Sequence, residues 1–121
     1  KSIYITVNKN KFLQVIHNLL DNAITFIPLN SKILIFAKVE NKKCIIHFVD
    51  RGPGVLLDYK EKIFERFYKD RRQNNNSHSG LGLSISRKII ESFDGSINLI
   101  KNPHTGFEGA CFEIKLPLKA L

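Results

Sequence analysis

Residues 69–79 read Lys-Asp-Arg-Arg-Gln-Asn-Asn-Asn-Ser-His-Ser and hold no apolar side chain. Such a stretch has nothing to bury, so it is expected to be a mobile loop. Any core must therefore come from the stretches on either side of it. With 121 residues, 43% of them hydrophobic, the chain has enough for one compact domain spanning 1–121 and too little for two.

The flanking stretches alternate between two periodicities. Residues 3–7 (Ile-Tyr-Ile-Thr-Val) read as a first strand. Asn8 or Asn10 is placed to cap a helix over about 11–26, whose Phe12, Ile16, Leu19, Leu20 and Ala23 repeat at helical spacing. Pro28 and Asn30 end it. Two strands rich in Ile, Val and Phe follow at 32–39 and 43–50, joined by a polar turn at 40–42. A short helical piece near 59–64 precedes the polar loop. A second helix, about 83–93, closes at Asp94-Gly95. Strands at 96–101 and 111–116 complete the chain. This order predicts an α/β (α+β) two-layer sandwich, a mixed sheet of about five strands with helices on one face.

The formal net charge of +8 calls for an anionic partner or a Lys-rich solvated surface. The basic side chains are scattered and do not interleave with aromatics, which argues against nucleic acid. Cys44 and Cys111 lie in apolar strand-like runs. They read as buried free thiols of a reducing compartment, neither a disulfide framework nor a metal site. No run of about 20 apolar residues suggests a membrane span. The chain contains no Met and starts almost inside a strand, so it is expected to be a piece of a longer protein.

Three clusters carry chemistry. Asn18 and Asn22, four apart, share one helix face, and Thr25 continues the stripe. Paired carboxamides can offer oxygen to a hard cation and nitrogen to phosphate, or can simply be solvated. Asp50-Arg51-Gly52-Pro53-Gly54 ends an apolar strand. A carboxylate there, if partly buried, needs a donor, and an adenine amino group would serve; an ordinary Asp-Gly turn fits equally. Gly80-Leu81-Gly82 opens a helix, whose free N–H groups and dipole favour polyphosphate, although such a glycine pair alone is a weak signal.

Taken in order, with a polar loop between the second and third, these clusters resemble the histidine kinase and gyrase-type ATPases. Within that group the resemblance is to the sensor histidine kinases and their Bergerat-type ATP-binding fold. The stretch from Gln14 to Ile24 looks like the family's N box, and Asp50 to Gly54 like its first glycine box. Ile63-Phe64-Glu65-Arg66-Phe67-Tyr68 resembles the F box, which separates the kinases from their gyrase, mismatch-repair and chaperone relatives. Gly80-Leu81-Gly82-Leu83-Ser84-Ile85 resembles the second glycine box, and residues 112–117 the closing strand.

The resemblance implies roles. Asn22 would be the principal Mg²⁺ ligand, with Asn18 beside it. Asp50 would accept from adenine, and Gly52 and Gly54 would shape its pocket. Phe26 would border the nucleotide. Lys69 or a lid arginine would reach the phosphates. Gly80, Leu81 and Gly82, flanked by Ser79 and Leu83, would wrap the triphosphate, and Phe64 and Phe67 would anchor a lid at about 69–79. ATP would be the phosphoryl donor. The acceptor histidine would lie on a separate dimerisation domain of the same protein, with a response regulator downstream. The domain would be cytoplasmic, and any anchorage in the bacterial inner membrane would come through upstream segments.

Two positions depart from the pattern. Thr25 stands where the family usually has Lys or Arg, which bears on phosphate affinity or transfer rate; His78, followed by Ser79, stands where it usually has a further Gly, and would restrict the lid hinge or contact phosphate itself. Two rival readings are a gyrase- or mismatch-repair-type ATPase and a regulatory module that binds nucleotide without transfer. In the ATPases the position of Asn18 carries a glutamate that activates water, and Asn cannot act as that base.

Overall fold

The computed structural model describes residues 3–26, 32–51, 57–68, 81–107 and 109–118. Helix α1 (Lys9–Phe26) starts at Asn8, whose Oδ1 accepts from Lys11 N–H at 3.0 Å. Of the two candidate caps, Asn8 is the one used, because its side chain reaches an N–H with no partner inside the helix. Val15, Leu19 and Ala23 form the buried centre of α1, with Phe12 and Ile16 partly buried beside it. The expected stripe omits Val15, which is fully buried, and includes Leu20, which lies at its margin.

Strands β1 (Leu34–Glu40) and β2 (Lys43–Val49) form a hairpin. Asn41 and Lys42 both take positive φ, 53° and 63°, as a two-residue turn matched to strand twist requires. The expected helical piece is two single 3-10 turns, Leu57–Tyr59 and Lys62–Phe64. Helix α2 (Gly82–Ser92), β3 (Ser96–Ile100) and β4 (Cys111–Pro117) complete the described elements.

The sheet corrects one expectation. It is antiparallel throughout, in the order β1-β2-β4-β3, so among the described residues it has four strands and is not mixed. Residues 3–7 form no ladder. Ile3, Ile5 and Val7 still pack against the core while Tyr4 and Thr6 face out. The alternation that reads as a strand is therefore real, but it arises from side-chain packing without backbone pairing.

Register sorts the sheet into two faces. Phe48, Phe112 and Leu99 align across β2, β4 and β3, as do Ile46, Ile114 and Ile97. These residues join Val15 and Leu19 of α1 and Ile89 and Ile90 of α2 in one buried cluster. Both helices thus cover this face. The opposite face presents His47, Glu113 and Asn98 in one row and Val49, Cys111 and Ile100 in another.

α2 ends with Asp94 at φ 61° and Gly95 N–H bonded to Ile90 C=O at 3.0 Å. Gly95 is required for space. A Cβ there would stand 2.4 Å from the Lys115 carbonyl oxygen and 2.8 Å from Leu116 Cδ2. The turn leaving α2 therefore lies close against the β4 backbone.

Candidate functional site

Asn18 and Asn22 of α1 face different neighbours. Asn18 Nδ2 donates to Gly82 C=O at 3.1 Å and to Ser86 Oγ at 3.0 Å, both on the first turns of α2. These two donations fix the orientation of the carboxamide, leaving Oδ1 as its acceptor end. Asn22 lies one turn further along α1, about 6 Å by helix rise. It lines a pocket with Leu19, Ala23, Ile33, Phe48, Val49, Asp50 and Phe112.

Asp50 is 7% exposed at the end of β2. Its backbone is clamped on both sides: its N–H bonds to Ala110 C=O at 3.4 Å, and its C=O accepts from Gly109 N–H at 3.0 Å. The segment just before β4 thereby fixes where the carboxylate leaves the sheet. The space between Asn22 and Asp50 is about 10 Å³, room for roughly one water. A flat ligand enters only if this cleft widens. A wider hollow beneath Leu57, Glu61 and Lys101 contains none of the residues singled out from sequence.

At α2, Leu81 occupies the cap position and its carbonyl accepts from Ser84 Oγ and Ile85 N–H, each at 2.9 Å. Leu81, an apolar residue, makes no side-chain cap at the helix start. The first-turn N–H groups therefore keep the partial positive charge that attracts anions. A Cβ on Gly82 would meet Asn18 at 3.6–3.7 Å, an ordinary contact, so close packing alone does not demand glycine there. Leu83 packs against the core.

The two F-box phenylalanines part company. Phe64 is a core residue, edge-on to Phe112 at 6.2 Å between centroids, with the Arg87 guanidinium 3.8 Å above its ring. Arg87 also bonds Glu61, the Ile97 carbonyl and Asn98, which ties the 3-10 turns to α2 and β3. Phe67 is 64% exposed, at φ 66°, beside Arg66. Gly52, Gly54, Lys69, His78, Ser79 and Gly80 lie outside the described residues, as do the side chains of Thr25 and Phe26.

Ser86 escapes the sequence reading. It is fully buried and receives Asn18. A small polar residue one turn after Gly82, on the buried side of an otherwise Ile-rich helix, is its available signal.

The fold and these positions define the class. The chain belongs to the histidine kinase-, DNA gyrase B- and HSP90-like ATPase family, whose model matches residues 7–120. Within it, the chain is a catalytic, ATP-binding domain of the sensor histidine kinase type. It is 38% identical over 109 residues to sensor protein ChvG of Rhizobium meliloti (strain 1021), covering 86% of this chain and 19% of that protein. It is 32% identical over 120 residues to signal transduction histidine-protein kinase BaeS of Escherichia coli (strain K12), covering 98% and 25% respectively. The chain thus spans a fifth to a quarter of the length of these curated relatives. Among solved structures, the catalytic domain of histidine kinase ThkA in a nucleotide-free form superposes with TM-score 0.73 at 34% identity, over 92% of this chain and 68% of that one. A mycobacterial sensor histidine kinase, MprB, gives TM-score 0.78 at 22% identity, over 94% and 74%, and supports the fold.

Proposed function

We infer that this domain binds Mg·ATP between α1, the end of β2 and the start of α2. In this reading it donates the γ-phosphoryl group to a histidine on a separate helical domain. The observation that carries the reading is the pocket shared by Asn22 and Asp50. Two polar residues from separate elements meet there on otherwise apolar walls, the pattern of a small-molecule site. Asp50 would accept from the adenine amino group, and the wall formed by Leu19, Phe48 and Phe112 would take the ring. The start of α2 would receive the phosphates.

The donor set suits Mg²⁺. Asn22, with Asn18 Oδ1 one turn away, would hold it through neutral oxygens. When bound, it supplies charge neutralisation at the phosphates, the main demand of phosphoryl transfer. Asn18 also joins the two halves of the site, since its nitrogen holds Gly82 and Ser86 of α2. A glutamate at this position could not make those donations, which supports the kinase over the water-activating ATPase.

The full protein, in this reading, is a dimeric two-component sensor. Its upstream segments would bring the acceptor histidine and a bacterial inner-membrane anchor, with a response regulator downstream and the domain itself in the cytoplasm. Among the described residues no helix is long and apolar enough to cross a membrane.

Titration with a fluorescent ATP analogue tests the site. Asp50→Asn should weaken binding by about 1–3 kcal/mol, the cost of a lost charged hydrogen bond. Asn22→Ala should weaken it in Mg²⁺ and much less in EDTA. Unchanged affinity in both variants would refute the assignment. Transfer is read separately with γ-labelled ATP. The chain alone should stay almost unlabelled, and adding the helical domain in trans should give an acid-labile, base-stable label.

A further inference from the structure

The sheet face away from the helices carries a cluster unconnected with the nucleotide reading. His47 of β2 is 4% exposed. Its Nε2 lies 3.0 Å from Glu113 Oε2 on β4, and its Nδ1 lies 2.7 Å from His104 Nε2. His104 belongs to the β3–β4 connection, where Asn102 Oδ1 accepts its N–H at 2.8 Å. Asn102 Nδ2 also donates to the Phe107 and Gly109 carbonyls. The loop is therefore folded around Asn102 and presents His104 to the sheet. Cys111, fully buried at the start of β4, completes the group. One donor atom from each of His47, His104 and Cys111 lies within 4.8 Å of the other two. Phe36 stands edge-on to His104 at 5.3 Å and roofs the cluster with apolar surface.

We propose that His47 Nδ1, His104 Nε2 and Cys111 Sγ bind a divalent transition metal of zinc type, with Glu113 orienting His47. Two imidazoles and a thiolate are borderline-soft ligands suited to a tetrahedral ion with one open position. The Glu113 contact leaves His47 Nδ1 as the lone-pair end of its ring. This is the carboxylate–histidine arrangement that fixes tautomer and raises ligand basicity at metal sites. Ligand atoms around such an ion stand roughly 3.3–3.7 Å apart. The two imidazole nitrogens, 2.7 Å apart, must separate by roughly half an ångström or slightly more, and the sulfur, within 4.8 Å of them, must close in by up to about 1–1.5 Å. His104, on a loop, can supply most of that movement. Only the thiolate ligates, so the Cys111 proton leaves as the metal binds.

The test is a Co²⁺ titration of the chelator-treated 121-residue chain, followed by competition with Zn²⁺. One Co²⁺ per chain should bind with a thiolate-to-cobalt charge-transfer band in the near ultraviolet, and Zn²⁺ should bleach it. Cys111→Ser should lose the band, and His104→Gln, a loop change, should lose tight binding. Glu113→Gln should keep the band with affinity roughly tenfold weaker. His17→Gln, on the exposed face of α1, should change nothing. Absence of a thiolate band, or a band unaltered in His104→Gln, would overturn the site and leave a hydrogen-bonded His–His–Glu chain in its place. If Cys111→Ser does not fold, His104→Gln alone decides.

Discussion

On the helix-bearing side of the molecule, Asn18, Asn22 and Asp50 come from α1 and the end of β2, and the Asn18 carboxamide bonds α2 where the two helices pack. On the outer face, His47, Glu113 and Cys111 stand on two paired central strands, with only His104 delivered by a loop. The first group depends on how two helices are docked. The second depends on a ladder whose register cannot slip without turning every side chain over. A site that must admit a ligand and release it suits the first kind of support. A buried polar cluster suits the second, since partly satisfied groups there are costly.

Substituting the residue that joins the two sides gives the largest effect. Gly95→Ala sets a methyl 2.4 Å from the Lys115 carbonyl, with backbone on both sides of the clash. It should cost about 3 kcal/mol, at the upper end for overpacking, read as a shift of the urea midpoint. Nucleotide binding and the metal signature should fall together. Loss of one without the other would show that α2 can move off the sheet independently, and would break the comparison.

Asn18→Ala comes next. Removing two partly buried donations should cost about 2 kcal/mol and leave the fully buried Ser86 hydroxyl without this donor. Affinity for the ATP analogue should drop as α2 loosens, while the Co²⁺ spectrum of the outer face stays unchanged. Glu113→Gln should leave ATP-analogue affinity unchanged and weaken Co²⁺ binding without losing the band, at a cost below about 1 kcal/mol, since the amide oxygen can still accept from His47. The double variant should be additive within roughly 0.5 kcal/mol if the two faces are energetically separate. A larger coupling in urea unfolding would mean that the clamp of Ala110 and Gly109 on Asp50 carries strain between them.

These two regions are unequally legible in the sequence. The helix-side residues sit within short contiguous boxes, because a helix start, a strand end and a four-residue helical spacing are all local. Their order carries the family resemblance that implies one site for Asn22 and Asp50, and the two line one pocket. The bond from Asn18 to Ser86 cannot be read this way, since it depends on how α1 crosses α2. His47, His104 and Cys111 are spread over three segments with no metal-ligand spacing, and only the antiparallel register together with the fold of the β3–β4 loop brings them together. The same register explains the thiols. Cys44 and Cys111 are both buried, as their apolar runs imply, but an alternating pattern does not say which face each occupies when both faces of β2 and β4 are covered. The missing strand at residues 3–7 has a related cause, because period-two burial records side-chain packing and is silent on backbone pairing.

The smallest effect separates the thiols by face. Cys44 belongs to the helix-side cluster, and burial alone raises its pKa above the ordinary value of 9.0. The folded state therefore holds this proton to higher pH than the unfolded chain does. Its contribution is fully present below about pH 9 and declines as pH rises through the folded value. Cys44→Ala removes that dependence along with some packing. The packing loss is the same at every pH, whereas the titration is not. The stability gap between wild type and Cys44→Ala should therefore be constant from about pH 7 to pH 8.5 and narrow above about pH 9, by tenths of a kcal/mol at first. Urea midpoints at closely spaced pH values resolve this, and the lysines common to both proteins cancel in the difference. A gap that stays flat to about pH 10 would mean that water reaches the sulfur from the helix side. The helix-bearing layer would then be the looser of the two faces even around its apolar core, and the contrast drawn from Asn18 alone would extend to the packing beneath it.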